Sequence, residues 1–116
     1  MDHFHIVNTD FLDLNTLNSI FFLDKKLKLS EEVQMKITTC RLYLDEKLTE
    51  SEDPIYGINT GFGSLYNVKI DKNQLSQLQE NLVMSHACGT GDEVPAEIVK
   101  MMLFLKIQSL SYGYSG

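Results

Sequence analysis

The segment from Pro95 to about Tyr112 constrains the fold of this 116-residue chain more than any other. Pro suits the first turn of a helix, and the residues that follow would make that helix apolar around most of its circumference. The apolar residues are Ile98, Val99, Met101, Met102, Leu103, Phe104, Leu105, Ile107 and Leu110. A helix of this kind needs packing partners on several sides. The fold must therefore bring other elements against this helix, or leave apolar surface for further sequence or another copy.

Three more helices are predicted. Asp13 can cap a helix that runs to about Leu23, and Ser30, followed by two glutamates, can start a second. Asp71, with a Gln three residues later, resembles a capping box for a third helix that runs to about Ala87. The second helix carries an apolar stripe at helical spacing: Val33, Ile37, Cys40, Leu44 and Leu48. In the third helix, Leu75, Leu78 and Leu82 should face inward.

Strands should be few and short. His3 to Val7 can form one strand, and the alternation of Tyr66, Val68 and Ile70 favours another. No repeat, linker or low-complexity tract divides the chain. The expected fold is mainly α, with one or two short strands, in a single unit over residues 1–116.

Charge and composition exclude several classes of partner. The net charge is −6, with 16 acidic against 10 basic residues, which argues against binding nucleic acid. The apolar segment from Ile98 to Leu110 is shorter than the roughly 20 residues that a membrane-spanning helix needs. Cys40 and Cys88 form no CxxC pair, and the chain opens on polar residues without a signal-peptide pattern, so we expect a cytoplasmic protein. His3 and His5 lack further ligands in any recognisable spacing, and no metal site is predicted.

Residues 55–63, Ile-Tyr-Gly-Ile-Asn-Thr-Gly-Phe-Gly, place one phenol in a loop with three glycines. Glycine lets a chain adopt conformations that other residues avoid and approach a ligand closely. The glycines match neither the phosphate-binding nor the dinucleotide-binding pattern. Tyr56 can therefore be a packed aromatic in a tight turn or a proton-transfer group, and the residue pattern alone favours neither role.

Two further motifs give this loop a context. Residues 81–89, Asn-Leu-Val-Met-Ser-His-Ala-Cys-Gly, and residues 113–116, Gly-Tyr-Ser-Gly, together with the loop resemble the amino-terminal part of histidine ammonia-lyases. These enzymes belong to a family that includes phenylalanine and tyrosine ammonia-lyases and aminomutases. The resemblance runs from about Pro54 to Gly116. It implies the amino-terminal portion of a helical lyase fold and, for the longer protein, a homotetramer.

The resemblance also implies a protein-derived electrophile, the methylidene-imidazolone (MIO) group, which family members build from an Ala-Ser-Gly tripeptide. That tripeptide does not occur in residues 1–116. The chain therefore resembles a fragment of a longer lyase, and this fragment alone is expected to be inactive.

By the resemblance, Tyr56 is the base that removes a proton from the β-carbon of the substrate. The residues that accompany it would shape the loop: Gly57, Asn59, Thr60, Gly61 and Gly63. Ser85 and His86 match the dipeptide near the substrate side chain, which favours L-histidine as substrate and urocanate with ammonia as products. On helical periodicity alone, His86 lies four residues after Leu82 on an apolar face, where histidines usually pack.

Two alternatives stay open. The parent protein could be a phenylalanine or tyrosine ammonia-lyase or an aminomutase acting on a related aromatic amino acid. The short chain could also be a non-catalytic interaction module that keeps the surface of a lyase. The substrate that yields an acrylate product would separate the first alternative, and coding sequence with Ala-Ser-Gly beyond Gly116 would separate the second.

Overall fold

The computed structural model describes residues 3–114 and contains two short strands and four α-helices in that range. The strands are β1, Phe4–Val7, and β2, Lys26–Leu29; the helices are α1, Leu14–Phe22, α2, Glu31–Glu50, α3, Leu75–His86, and α4, Ala96–Leu110. Short 3₁₀ turns cover Gly63–Leu65 and Lys72–Gln74. The prediction of a mainly α fold is confirmed. Met1 and Asp2, and the Ser115 and Gly116 that end the Gly-Tyr-Ser-Gly segment, lie outside the described residues.

The described chain forms two compact units. One contains residues 3–47 and 93–114 and is called here the apolar-core unit. The other contains residues 48–92 and is called the loop unit. That residues 1–116 form a single domain stays a prediction.

In the apolar-core unit, β1 and β2 pair in parallel, with Phe4 opposite Lys26 and Val7 opposite Leu29. Helix α1 connects them, as a parallel pair requires. The helix begins where the sequence predicts, because the Asp13 side chain accepts a hydrogen bond from the Thr16 backbone N–H at 2.7 Å. Helix α2 also begins as predicted: the Ser30 Oγ accepts from the Val33 N–H at 3.2 Å.

The core of this unit forms where α1 and α4 meet the sheet. Val7, Ile20 and Phe104 are buried together. Phe21 meets Phe104 edge to face, with 5.9 Å between ring centroids, a favoured aromatic geometry. The partly buried residues packed against this cluster are Leu12, Leu17, Phe21 and Leu29.

Helix α4 is buried along one side only. Phe104 and Gln108 are buried, and Gln108 Nε2 donates to the Asn8 carbonyl at 2.8 Å. By contrast, Met102 and Leu103 are 63% and 60% exposed. The helix thus keeps the uncovered apolar surface that its composition predicts. No helix within residues 3–114 is both long and apolar enough to cross a membrane.

Two sequence expectations are corrected, and one strand was missed. The predicted strand at Tyr66 to Ile70 is wrong: turns occupy this stretch, with Val68 N–H bonded to the Leu65 carbonyl, and an isolated bridge joins Thr60 to Lys69. Strand β2 was not predicted. Asp71 does not cap a helix through its side chain; instead its backbone carbonyl accepts from the Gln74 N–H at 2.8 Å, forming a 3₁₀ turn before α3.

Candidate active site

The glycine-rich loop is organised around two buried polar side chains, Asn59 and Thr60. Asn59 Oδ1 accepts from the Ile55 N–H at 2.6 Å, and its Nδ2 donates to the Asp53 carbonyl at 3.1 Å. The Thr60 hydroxyl accepts from the Gly57 N–H at 3.4 Å and donates to its neighbour's carbonyl at 3.0 Å. These side chains satisfy backbone groups that lie outside any helix or sheet. The loop therefore has a defined internal frame.

Backbone contacts tie the frame to the following segment. The Gly61 N–H donates to the Val68 carbonyl at 2.9 Å, and the Ile70 N–H donates to the Asn59 carbonyl at 2.8 Å. A Cβ on Gly61 would lie 2.6 Å from Leu65 Cβ and 2.9 Å from the Leu65 carbonyl oxygen. No side chain fits at Gly61 without moving the backbone of this turn.

Tyr56 projects from this frame with 63% of its surface exposed. Its ring meets Phe62 edge to face at 6.1 Å between centroids. Its phenol oxygen accepts a long hydrogen bond of 3.5 Å from the Gly63 backbone N–H. The next residue, Gly57, has φ of +77°, which other residues adopt only with strain. The loop thus offers an accessible hydroxyl next to a backbone donor.

Ser85 and His86 lie at the end of α3, and both are exposed in the described chain. The Ser85 Oγ donates to the Leu82 carbonyl at 2.9 Å, and His86 Nδ1 lies 2.9 Å from the same oxygen. Since a carbonyl only accepts, Nδ1 must carry the hydrogen in this arrangement, which leaves Nε2 of the neutral ring as an acceptor. Within the described residues His86 is exposed, and it lines a surface depression with Leu82, Val83 and Ala87. The three predicted inward leucines, Leu75, Leu78 and Leu82, are partly buried.

The sequence analysis did not identify Gln79 as a residue of the candidate site. Gln79, on α3, donates from Nε2 to the Gly57 carbonyl at 2.8 Å, across 22 residues of sequence. No local pattern marks such a contact. Gln79 and His86 are seven residues apart, so they share a helix face about 10 Å apart along the axis. Within residues 3–114, no hydrogen bond joins Tyr56 to Ser85 or His86, and α3 is the element that connects them.

The charges near the loop are exposed. Lys69 Nζ lies 3.0 Å from the Glu52 carboxylate, and this hydrogen bond holds the pKa of Glu52 below its usual value. An ion pair of this exposure adds little stability. Among the described residues, no three His, Cys, Asp or Glu side chains gather as a metal site would require.

These features define a helical protein with a glycine-rich loop that presents a tyrosine hydroxyl, and comparison with known proteins gives its family. The model of the family described as "Aromatic amino acid lyase" matches residues 12–116. The chain is 46% identical over 105 residues to a histidine ammonia-lyase of Deinococcus radiodurans, covering 90% of this chain and 20% of that protein. It is 42% identical over 116 residues to a histidine ammonia-lyase of Idiomarina loihiensis, covering 100% of this chain and 22% of that protein.

A solved structure agrees. The crystal structure of histidine ammonia-lyase from Trypanosoma cruzi superposes with a TM-score of 0.78 at 31% identity, covering 95% of this chain and 21% of that one. The chain therefore belongs to the aromatic amino acid lyase family. It spans about a fifth of the length of the curated relatives it matches.

Proposed function

We propose that residues 1–116 are the amino-terminal part of a cytoplasmic histidine ammonia-lyase, which converts L-histidine to urocanate and ammonia. Two curated relatives that bear this name are 46% and 42% identical to the chain over nearly all of it. The Ser85-His86 dipeptide supports histidine within the family. A homotetramer of the longer protein belongs to the same proposal.

The observation that carries the proposal is the placement of Tyr56. The β-proton of an amino acid is feebly acidic, and phenols ordinarily titrate near pKa ~10, so a phenol needs help to act as a base at neutral pH. A hydrogen-bond donor at the oxygen gives that help because it stabilises negative charge there. The Gly63 N–H occupies this position at 3.5 Å, a distance that can shorten when substrate binds. Tyr56 then removes the β-proton.

His86 orients the substrate in this proposal. Its Nδ1 is engaged by the Leu82 carbonyl at 2.9 Å. The remaining acceptor, Nε2, suits an N–H of the substrate imidazole. Ser85 supports the arrangement, because its Oγ lies 3.1 Å from His86 Nδ1.

The electrophile must come from elsewhere. MIO, when present, activates the amino group as a leaving group. Residues 1–116 hold no Ala-Ser-Gly, so they do not fit the role of forming it, and their part is to supply the base and the substrate contact. Purified residues 1–116 should therefore form no urocanate from histidine, and urocanate absorbance would overturn this division of roles.

Replacing Tyr56 by Phe in the longer protein tests the base. The ring and its contact with Phe62 remain, and turnover should fall by roughly two to four orders of magnitude, the range for general acid–base groups. Tyr66→Phe is the matched control, since Tyr66 is 62% exposed in the same unit and should lose little. Turnover close to normal in Tyr56→Phe would remove Tyr56 from the mechanism.

A further inference from the structure

We propose that Gln79 is a positioning residue for the reaction: its amide holds the Gly57 carbonyl and so fixes the Tyr56 loop against α3. The inference rests on the proposed function, because it assumes that Tyr56 reacts. The carrying observation is the 2.8 Å hydrogen bond from Gln79 Nε2 to the Gly57 oxygen.

Among the described hydrogen bonds to residues 55–63, this one comes from a helix. Asn59 and Thr60 bond within residues 53–61, and two backbone bonds join the loop to Val68 and Ile70, so these contacts set the shape of residues 53–70. Gln79 comes from another element, α3. It therefore sets where the loop lies, which a rigid internal frame cannot do alone.

The contact also reaches the loop at its reactive end. Gly57 follows Tyr56 directly, and its φ of +77° places a turn at this point. Displacement of the Gly57 peptide would also displace the hydroxyl of the preceding Tyr56. The 3.5 Å contact between that hydroxyl and the Gly63 N–H would then change.

Helix α3 then acts as a spacer between two parts of the site. Gln79 and His86 occupy the same helix face about 10 Å apart along the axis. A rigid helix that bonds to the loop through Gln79 and presents His86 at its carboxyl end keeps the distance between proton removal and ring binding constant. Displacement of a reacting group by about 1 Å can cost on the order of 100-fold in rate.

The test uses three variants of the longer protein. Gln79→Met and Gln79→Glu keep the length of the side chain but remove the N–H donor, and Gln79→Lys keeps a donor. The matched control is Gln77→Glu: Gln77 is exposed on the same helix, and its Nε2 bonds only one turn onward, to Asn81 Oδ1 at 2.9 Å. The measurements are kcat and KM for histidine, the melting temperature, and amide exchange across residues 56–63.

We expect kcat to fall about 10- to 100-fold in Gln79→Met and Gln79→Glu, with faster amide exchange in the loop and a melting temperature close to that of the parent. Gln79→Lys should retain more activity than either, and Gln77→Glu should stay within about twofold. The proposal is overturned if the donor-free variants keep their kcat, or if all three Gln79 variants lose it equally without a change in loop exchange. If one donor-free variant fails to fold, the other decides.

The proposed role of Tyr56 and the proposed role of Gln79 can be disproved independently. Normal turnover in Tyr56→Phe would remove the base, yet loop exchange in Gln79→Met would still report whether Gln79 fixes the loop. Slow turnover in Tyr56→Phe with unchanged kcat in Gln79→Met would overturn the Gln79 proposal alone.

Discussion

The two units bury different kinds of residue. In the apolar-core unit the buried side chains are mainly hydrophobic, with Val7, Ile20, Val33 and Phe104 at 4% exposure or less. In the loop unit, Asn59, Thr60 and Gly61 are the residues classed as buried within the described chain, and none of them is a large apolar residue. One unit is held by packing, and the other is organised by hydrogen bonds.

The two kinds of interaction have different physical consequences. Burial of apolar surface is favourable but non-directional, so it gives stability without fixing a particular backbone angle. Hydrogen bonds contribute less net stability, about 0.5–1.5 kcal/mol each, but they are directional. A loop that holds Tyr56 in one orientation, as the proposed role of base requires, benefits from the second kind of interaction. The hydrogen bonds of Asn59 and Thr60 therefore give the loop a defined geometry.

The largest effect on stability should come from the apolar core. Phe104→Ala removes a ring that is 2% exposed and packs against Phe21, and should destabilise the apolar-core unit by about 3–5 kcal/mol. Hydrogen exchange of the β1 and α1 amides in the longer protein measures this loss. Phe22→Ala is the control, because Phe22 is 83% exposed. Equal losses in both variants would mean that the described core does not determine the stability of this unit.

A smaller and more local effect is expected in the loop unit. Asn59→Ala leaves the Ile55 N–H and the Asp53 carbonyl without their partner, at a cost of about 1–3 kcal/mol for each group that water does not reach. Amide exchange should accelerate near Ile55 while β1 stays protected. Asn67→Ala, at an exposed position of the same unit, should change neither. Accelerated exchange throughout both units would contradict the separation between them.

Local signals predicted the parts of the fold that depend on neighbouring residues. Asp13 and Ser30 cap their helices as the sequence indicates, because a capping side chain bonds to a backbone N–H three residues away. Strand β2 had a readable signal in its alternating Lys-Leu-Lys-Leu sequence. The alternation at Tyr66 to Ile70 misled because the Tyr66 and Val68 N–H groups are used in turns, to the Gly63 carbonyl at 3.2 Å and the Leu65 carbonyl at 3.0 Å, and only an isolated bridge forms at Lys69.

The candidate site, like the fold, has parts that the local sequence predicts and parts that it does not. The motif located Tyr56 and the residues around it, and the frame made by Asn59 and Thr60 spans at most six residues of sequence. Gln79 could not be found, since its partner lies 22 residues away and nothing in the local sequence of either residue marks the pair. The donor at the Tyr56 oxygen is a backbone N–H, which every residue except proline has, so composition could not identify it.

The next effect is on the selectivity of the longer protein for histidine over phenylalanine. In the proposed arrangement, His86→Leu removes the Nε2 acceptor of a substrate N–H, which should weaken use of histidine relative to phenylalanine by about 1–3 kcal/mol in kcat/KM. Ser85→Ala is the milder control. It removes an Oγ that lies 3.1 Å from His86 Nδ1 but leaves the acceptor in place. An equal loss on both substrates would assign His86 a packing role.

The smallest effect concerns pH and lies in the apolar-core unit. Partial burial beside Phe104, with a ring separation of 5.7 Å, and then the positive charge of Lys25 lower the pKa of His5 below its ordinary 6.5. The folded unit therefore resists protonation, while the unfolded chain takes up the proton near its usual pKa. The contribution of neutral His5 to the free energy of unfolding is therefore fully present above pH 6.5. It decreases as the pH falls from there through the lower pKa of the folded state.

Melting temperatures of the longer protein between pH 8 and about 5.5 measure this slope, a range that lies above most carboxyl titrations. His5→Gln should flatten the slope, whereas His3→Gln, at an exposed position, should leave it unchanged. The effect is small because His5 is only partly buried. An unaltered slope in His5→Gln would mean that other titratable groups cause the dependence of the melting temperature on pH. A flattened slope would show that protonation of His5, whose ring contacts Phe104, destabilises the apolar-core unit.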